Sequence, residues 1–172
     1  RLRSRGLGDV YKRQVGGSVR TNPKCGEVVI AMFMGQYEHS IDAKGRAIVP
    51  AKYREELGDV FYVTWGVDGC LYLYPQHDWE ELARKLQSLP SNQQSRLIQR
   101  QLMASASELT LDKQGRILIP AKLRKSARLE KDLVFVGMIN RVEIWDKETF
   151  EAQTMGNEMS MEEAMDALGI SL

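Results

Sequence analysis

Apolar and polar positions follow the same order twice along this chain. From residue 36 the pattern predicts a short strand, a turn at "DAKG", a strand at "RAIVP" and a short helix at "PAKYREEL". A β-hairpin around "GVDG" and an amphipathic helix at "HDWEELARKLQSL" follow. Because the apolar residues of "RAIVP" are consecutive, we expect both faces of that strand to be buried.

After a second helix at residues 93–104, the order restarts. It predicts a strand at "SELTL", a turn at "DKQG", a strand at "RILIP", a helix at "PAKLRKSA", a hairpin around "IN" and a helix at "KETFEAQTM". We therefore place a first repeat at 36–83, a helical connector at 84–105, a second repeat at 106–151 and an acidic helical tail at 152–172. Helical spacing of four apolar residues predicts a packed helix in the tail: Met161, Ala164, Met165 and Leu168.

The two repeats share one sharply similar stretch. "DAKGRAIVPAKYR" begins at Asp42, and "DKQGRILIPAKLR" begins seventy residues later at Asp112. Residues 41–54 and 111–124 are identical at seven of 14 positions. Each repeat is too short to build a comfortable core alone, so we expect the two to pack together.

The first 31 residues do not continue this pattern. "RGLGDVYKRQ" matches one reading frame of a transposon-end adapter used in preparing DNA for sequencing, and it has no apolar periodicity. We expect residues 1–31 to be a disordered, non-native leader, with adapter at 1–14, upstream DNA read in frame at 15–31, and a start at Met32. The alternative is a basic, disordered arm that binds nucleic acid.

Charge is distributed unevenly along the chain. All 172 residues carry 24 Lys+Arg and 23 Asp+Glu, but residues 32–172 carry 17 and 21, a net charge of −4. Residues 40–54 nevertheless hold four bases and one acid, and residues 110–125 hold five bases and one acid. Any contact with nucleic acid must therefore come from these local basic segments rather than from overall charge.

The repeated turns carry the candidate binding residues. Gly45 and Gly115 suit a positive φ, and Asp42 and Asp112 suit the acceptance of backbone N–H groups at the start of a turn. The arginines that follow the glycines could bond guanine in the major groove, and lysines could contact phosphate. We expect the turns to contact DNA through Lys44, Arg46, Lys113 and Arg116. We expect further contacts with phosphate from Lys52, Arg54, Lys122 and Arg124.

A purely structural interpretation of the turns remains open. An Asp42–Arg46 ion pair could simply fix the hairpin, although a surface pair of that kind is worth roughly 0–1 kcal/mol. The two interpretations are compatible, because the aspartate could orient the arginine. Residues two apart on a helix lie about 200° around its axis, so Lys52 and Arg54 cannot share a face.

Catalysis has little support in the sequence. His39 and His77 have no carboxylate or cysteine at a useful spacing, and no Cys/His pattern typical of a metal site occurs. Cys70 lies in an apolar strand pattern and is predicted to be core. We expect no catalytic residues, no metal and no cofactor. No apolar run reaches the roughly 20 residues of a membrane-spanning helix.

The start "MFMGQYEHSIDAKGRAIVPAKYR", the second "LDKQGRILIPAKLR", and the segments "CLYLYP" and "VEIWD" together resemble the MraZ family. The resemblance implies an α+β fold in which two tandem AbrB/SpoVT-like swapped-hairpin half-units form an interleaved β-barrel with flanking helices. It implies a DNA-binding transcriptional regulator, a repressor of the division and cell-wall gene cluster, which binds short direct repeats upstream of its own operon. The arginine that reads DNA in the family matches Arg46 and Arg116, and the preceding aspartate matches Asp42 and Asp112.

The resemblance also implies partners and a location. We expect double-stranded DNA and further copies of the chain, arranged as a ring, in the cytoplasm and at the nucleoid, with no membrane and no small-molecule substrate. Two alternatives stay open: a ring-shaped protein-interaction scaffold without specific DNA recognition, and an antitoxin. Salt dependence separates the first alternative from DNA binding, because phosphate contacts weaken steeply with salt.

Overall fold

A computed structural model describes residues 18–21, 28–156 and 159–170 of the chain. The strands are β1 (Ser18–Thr21), β2 (Val28–Ala31), β3 (Gln36–Ser40), β4 (Arg46–Ile48), β5 (Val60–Trp65), β6 (Leu71–Pro75), β7 (Ser107–Thr110), β8 (Arg116–Leu118), β9 (Asp132–Met138) and β10 (Arg141–Asp146). The helices are α1 (Ala51–Leu57), α2 (Gln76–Gln87), α3 (Gln93–Ser105), α4 (Ala121–Ser126), α5 (Lys147–Met155) and α6 (Met161–Leu168).

The two halves of the chain exchange strands within one antiparallel sheet. Its order is β3-β9-β10-β6-β5-β7, so the first strand of each half pairs with the hairpin of the other half. Tyr37 pairs with Phe135 on one edge, and Phe61 pairs with Leu109 on the other. Each strand of the first half occupies the position that its counterpart in the second half occupies when the strand order is counted from the other end. The two halves are therefore related by an approximate two-fold rotation. The expected interleaving of tandem half-units in an α+β fold is confirmed.

The second pairing between the halves is a short ribbon. Strands β4 and β8 form a two-stranded antiparallel sheet in which Ala47 lies opposite Ile117. Both side chains point inward and join the main core with Val49, Ile119 and residues of the large sheet. The ribbon and the large sheet therefore share one hydrophobic core to which both halves contribute.

The opposite face of the large sheet is covered by helices. Tyr72, Tyr74 and Trp145 are buried there, and Trp79 of α2 and Phe150 of α5 pack against this second cluster. These aromatic side chains form a second hydrophobic cluster between the sheet and the helices.

Local sequence fixes where the short helices begin and end. Pro50 and Pro120 immediately precede α1 and α4, where a missing N–H costs nothing. Gly58 ends α1 with a φ of 76°. Asn92 caps α3 by accepting a hydrogen bond from Ser95 N at 2.8 Å, and Ser160 and Glu163 form a capping box at α6.

One expectation about the ribbon is wrong. Consecutive apolar residues in "RAIVP" predicted a strand buried on both faces, yet Ile48 is 43% exposed, and Leu118 at the matching position of β8 is 58% exposed. The reason is that the ribbon has a core on one side only, so every second side chain points outward.

A second expectation is wrong in part. The tail does form a helix, but of its four apolar residues only Ala164 and Met165 are half-buried, whereas Met161 and Leu168 of α6 are 73% and 74% exposed. Within the expected leader, β1 and β2 pair with each other, and residues 1–17 and 22–27 lie outside the described part. None of the helices described is both long and apolar enough to cross a membrane.

The strand exchange predicts that the chain survives a cut between its halves. Residues 88–92 are exposed, so a specific protease site inserted between Pro90 and Ser91 should be cleaved without unfolding the protein. After cleavage we expect the two fragments to co-elute in size-exclusion chromatography with an unchanged far-UV CD spectrum, because β3 needs β9 and β7 needs β5. Fragments that separate as two folded species would contradict the exchange, and elution in denaturant is the control for complete cleavage.

Candidate nucleic-acid interface

The first turn is organised by the carboxylate of Asp42. Its Oδ1 accepts hydrogen bonds from the backbone N–H groups of Lys44 and Arg46, both at 2.9 Å. Its Oδ2 accepts the Nε–H of Arg46 at 2.7 Å, and Arg46 Nη2 lies at the same distance. Gly45, with a φ of 83°, donates its N–H to Asp42 O at 2.9 Å, as its predicted role in a tight turn requires.

The second turn repeats this geometry. Asp112 Oδ1 accepts from Gln114 N at 2.8 Å and from Arg116 N at 2.9 Å, and Oδ2 accepts from Arg116 Nε at 2.7 Å. Gly115 has a φ of 73°. The sequence differs between the turns, with Lys44 in one and Gln114 in the other, but only their backbone N–H groups are used. Both turns therefore hold their arginine in the same way.

These hydrogen bonds favour the ionised aspartates. The backbone N–H of Arg46 is the main reason why the pKa of Asp42 is lowered, and the Arg46 side chain and the N–H of Lys44 add to the effect. The pKa of Asp112 is lowered for the same reasons, with the N–H of Arg116 first. Both carboxylates are therefore charged at neutral pH, where each can accept all of the hydrogen bonds described above.

The ribbon brings the two arginines onto one surface. Arg46 lies opposite Leu118, and Arg116 lies opposite Ile48. Arg46 and Arg116 are thus diagonal neighbours on the outward face, and such residues are about 7–8 Å apart. The two turns lie at opposite ends of the ribbon, but their arginines form one continuous site.

Each turn is completed by the other half of the chain. Gly115 O accepts the N–H of Val49 at 3.0 Å, and Gly45 O accepts the N–H of Ile119 at 2.9 Å. These hydrogen bonds extend the ribbon at both ends. Each turn is therefore joined at its glycine to the other half of the chain.

Arg54 and Arg124 also cross between the halves. Arg54 donates its Nε–H to Val49 O at 2.8 Å, and its guanidinium lies against Gly115, where a β-carbon would collide with it. Arg124 donates to Ile119 O at 3.1 Å, and a β-carbon on Gly45 would lie 2.6 Å from its Cζ. The glycines are therefore required by close approach as well as by φ. Sequence reasoning missed this role.

Four lysines surround the arginines. Lys44 and Lys113 are exposed in the turns, and Lys52 and Lys122 are exposed on α1 and α4. Arg54 and Arg124 are half-buried beside them. Every residue predicted to bind DNA thus lies on or next to the ribbon or on the two short helices that follow it.

Two features bear on other chemistry. Cys70 is buried, and burial raises the pKa of its thiol to about 12, so it is a protonated core residue as predicted.

A group of metal-ligand residue types lies at the start of α2. One donor atom from each of three side chains lies within 4.8 Å of the others: His77, Asp78 and Glu81. The expectation that His77 has no carboxylate at a useful spacing is therefore wrong, because Asp78 and Glu81 follow it on the same helix. Glu81 also pairs with Lys85 at 3.1 Å, so its carboxylate already faces a cation.

Fold and site together define a class of protein. It is an interleaved, swapped-hairpin protein whose two halves each supply one Asp-x-x-x-Arg turn to a shared basic ribbon. The chain belongs to the MraZ family: the family model described as "MraZ protein, putative antitoxin-like" matches residues 32–101 and 102–168.

Several similar proteins are named "Transcriptional regulator MraZ". The chain is 49% identical over 140 residues to "Transcriptional regulator MraZ" of Lachnoclostridium phytofermentans, covering 81% of this chain and 99% of the relative. It is 50% identical over 138 residues to the protein of that name in Thermoanaerobacter sp. (strain X514), covering 80% and 96%. The relative in Halothermothrix orenii is 47% identical over 143 residues, covering 81% and 100%.

The contact between Arg54 and Gly115 can be tested by a pair of matched substitutions. Gly115→Ala and Gly69→Ala both place alanine at a positive φ, but Gly69 has no atom within 4 Å of its would-be β-carbon. We expect Gly115→Ala to lower the free energy of unfolding by about 1 kcal/mol more than Gly69→Ala in urea, because Arg54 must give up its hydrogen bond to Val49 O. In an Arg54→Ala background the difference should disappear; an unchanged difference would show that Arg54 is not its cause.

The origin of the lowered aspartate pKa values gives a second test. In a ¹³C NMR titration, the carboxyl groups of Asp42 and Asp112 should titrate below their ordinary value of 3.8. Because folding lowers the pKa of each aspartate, the ionised carboxylate stabilises the folded protein at pH values above 3.8. This stabilisation is lost as the pH falls through the folded-state pKa.

Arg46→Ala separates the two causes. We expect the pKa of Asp42 to rise only part of the way to 3.8, because the backbone N–H groups of residues 44 and 46 remain and are together the larger cause. Asp112 in the same variant should not change and serves as the internal control. A full return of Asp42 to its ordinary value would show that the side chain, not the backbone, holds the turn.

Proposed function

We propose that this chain is a sequence-specific DNA-binding transcriptional regulator that represses its own operon, within the division and cell-wall gene cluster, through short direct repeats upstream of it. The observation that carries the proposal is the placement of Arg46 and Arg116 as diagonal neighbours on the exposed face of a two-stranded ribbon. A ribbon of this width fits the major groove of B-DNA, which is about 12 Å wide. The name "Transcriptional regulator MraZ" of the relatives supports the same function.

The ion pair leaves the recognition edge of the arginine available. Arg46 directs Nε and Nη2 toward Asp42, which leaves Nη1 and the outer N–H of Nη2. That pair of donors matches O6 and N7 of guanine. Arg116, held through Nε by Asp112, is available in the same manner. In this mechanism the aspartates orient the arginines, and the arginines read the bases.

The surrounding lysines supply the attraction to the backbone. Lys44, Lys113, Lys52 and Lys122 are exposed and flank the ribbon, which suits contacts with phosphates on either side of the groove. Arg54 and Arg124 would contribute only the part of the guanidinium that their carbonyl bond leaves unused. We expect no enzymatic activity, cofactor or small-molecule substrate to be involved.

Further copies of the chain complete the proposal. Several units arranged as a ring in the cytoplasm, at the nucleoid, would engage several direct repeats at once. Exposed apolar side chains support association: Leu97 and Ile98 on α3, and Met161 and Leu168 on α6. The same exposed helices favour the second candidate function, a protein-interaction scaffold, because they offer a partner an apolar surface that is separate from the ribbon.

A mobility-shift titration of residues 32–172 on the DNA upstream of the chain's own gene tests the proposal. We expect salt-sensitive binding that prefers this DNA to a scrambled duplex and that the double variant Arg46→Ala/Arg116→Ala loses. Each arginine bonded to guanine should contribute about 1–3 kcal/mol of discrimination. The matched control is Arg84→Ala/Arg100→Ala, which removes the same charge from exposed positions on α2 and α3.

The two candidate functions predict different results. If the chain is a regulator, Arg84→Ala/Arg100→Ala should bind DNA like the wild type. Arg46→Ala/Arg116→Ala should lose the preference for the upstream duplex while its far-UV CD spectrum stays unchanged. Equal affinity for the upstream and scrambled duplexes would contradict sequence-specific regulation and leave the scaffold as the better explanation.

A further inference from the structure

The outward face of the ribbon carries two aliphatic side chains as well as two arginines. Ile48 is 43% exposed and Leu118 is 58% exposed, while Ala47 and Ile117 fill the core on the other face. Each aliphatic residue stands directly opposite an arginine, Leu118 beside Arg46 and Ile48 beside Arg116. The face is therefore a two-by-two pattern in which arginine and a branched aliphatic residue alternate.

Burial in the core does not account for the large aliphatic residues at these two positions. Their side chains point away from the core, and a polar β-branched residue would suit an exposed strand equally well. Both halves nevertheless carry a large aliphatic residue at the same position of the repeat, two residues after the arginine. The pair is thus part of the surface that the ribbon offers to a ligand.

The charge around the pair identifies that ligand as DNA. Residues 40–54 carry a net charge of +3 and residues 110–125 a net charge of +4, in a chain of net charge +1. An apolar pair within such a surface fits a polyanion that has apolar groups in its groove. In B-DNA the apolar group in the major groove is the C5-methyl of thymine, and aliphatic side chains contact it.

We propose that Ile48 and Leu118 read thymine methyl groups next to the guanines that Arg46 and Arg116 bond. Directly opposite residues have Cβ atoms about 4.5–5.5 Å apart, which is between one and two base-pair steps of 3.4 Å. Each arginine–aliphatic pair therefore addresses neighbouring base pairs, and the approximate two-fold relation of the halves repeats the combination. The inference rests on the proposed DNA recognition and adds to it the identity of the bases that flank the guanines.

Single-methyl changes in the DNA provide the test. Wild-type protein would first select its preferred sequence from a library of random duplexes. The selected duplex would then be synthesised with deoxyuridine in place of each thymidine in turn, which removes the methyl group and keeps every hydrogen bond. We expect affinity to fall about fourfold at a thymine whose methyl group is contacted and to stay unchanged elsewhere.

Protein variants connect the methyl groups with the ribbon. Ile48→Ala/Leu118→Ala should bind the thymidine duplex more weakly than the wild type does and should no longer distinguish it from the deoxyuridine duplexes. Val67→Ala is the matched control, because Val67 is an exposed aliphatic residue on the β5–β6 turn. It should keep both the affinity and the sensitivity to the methyl group.

Three outcomes would overturn the inference, each in a different way. A clear selected sequence whose deoxyuridine forms bind the wild type equally well would refute methyl recognition and leave the proposed function standing. A library from which no sequence is enriched would refute the proposed function and the inference together. Loss of oligomers in Ile48→Ala/Leu118→Ala, with methyl sensitivity retained, would assign this face to a protein interface.

Discussion

The exchange of strands between the two halves is the constraint on which the remaining structure depends. The ribbon consists of one strand from each half, and each turn has its glycine carbonyl bonded by an N–H of the other half. Arg54 and Arg124 strengthen the same crossing, because each lies against the glycine of the opposite turn. The candidate site is therefore built from both halves, because the ribbon that brings the two arginines onto one face needs a strand from each.

The Asp–Arg pairs make more sense as positioning devices than as stabilising interactions. An exposed ion pair contributes roughly 0–1 kcal/mol to stability, whereas an arginine side chain carries about 2 kcal/mol of rotamer entropy. Holding Arg46 against Asp42 means that this ordering occurs during folding and not during binding. In the proposed complex with DNA, the disadvantage would be a carboxylate close to the phosphates. The exposed lysines of the turns would compensate for that negative charge.

Sequence reasoning predicted the parts of the site that depend on short-range interactions. The aspartate, glycine and arginine of each turn lie within five consecutive residues, so turn chemistry alone indicated their roles. The contact of Arg54 with Gly115 joins residues 61 positions apart, and no local pattern encodes it. The exposure of Ile48 was missed because consecutive apolar residues resemble a buried strand, and only the ribbon's position at the edge of the core distinguishes the two. The interleaving of the two halves was predicted from the family resemblance, because apolar periodicity indicates which elements form but not which strands pair.

The small size of the ribbon limits what one chain can achieve alone. Its two arginines are about 7–8 Å apart, or roughly two base-pair steps, so in the proposed complex one chain would read only a few base pairs. Such a short sequence recurs often in any genome, and residues 32–172 carry a net charge of −4, which weakens non-specific attraction to DNA. Under the proposed function, selectivity would come from several ribbons held at a fixed spacing over repeated sites, where linked binding multiplies modest affinities. The exposed apolar faces of α3 and α6 lie outside the ribbon, so chains could associate through them and leave every ribbon free to face DNA.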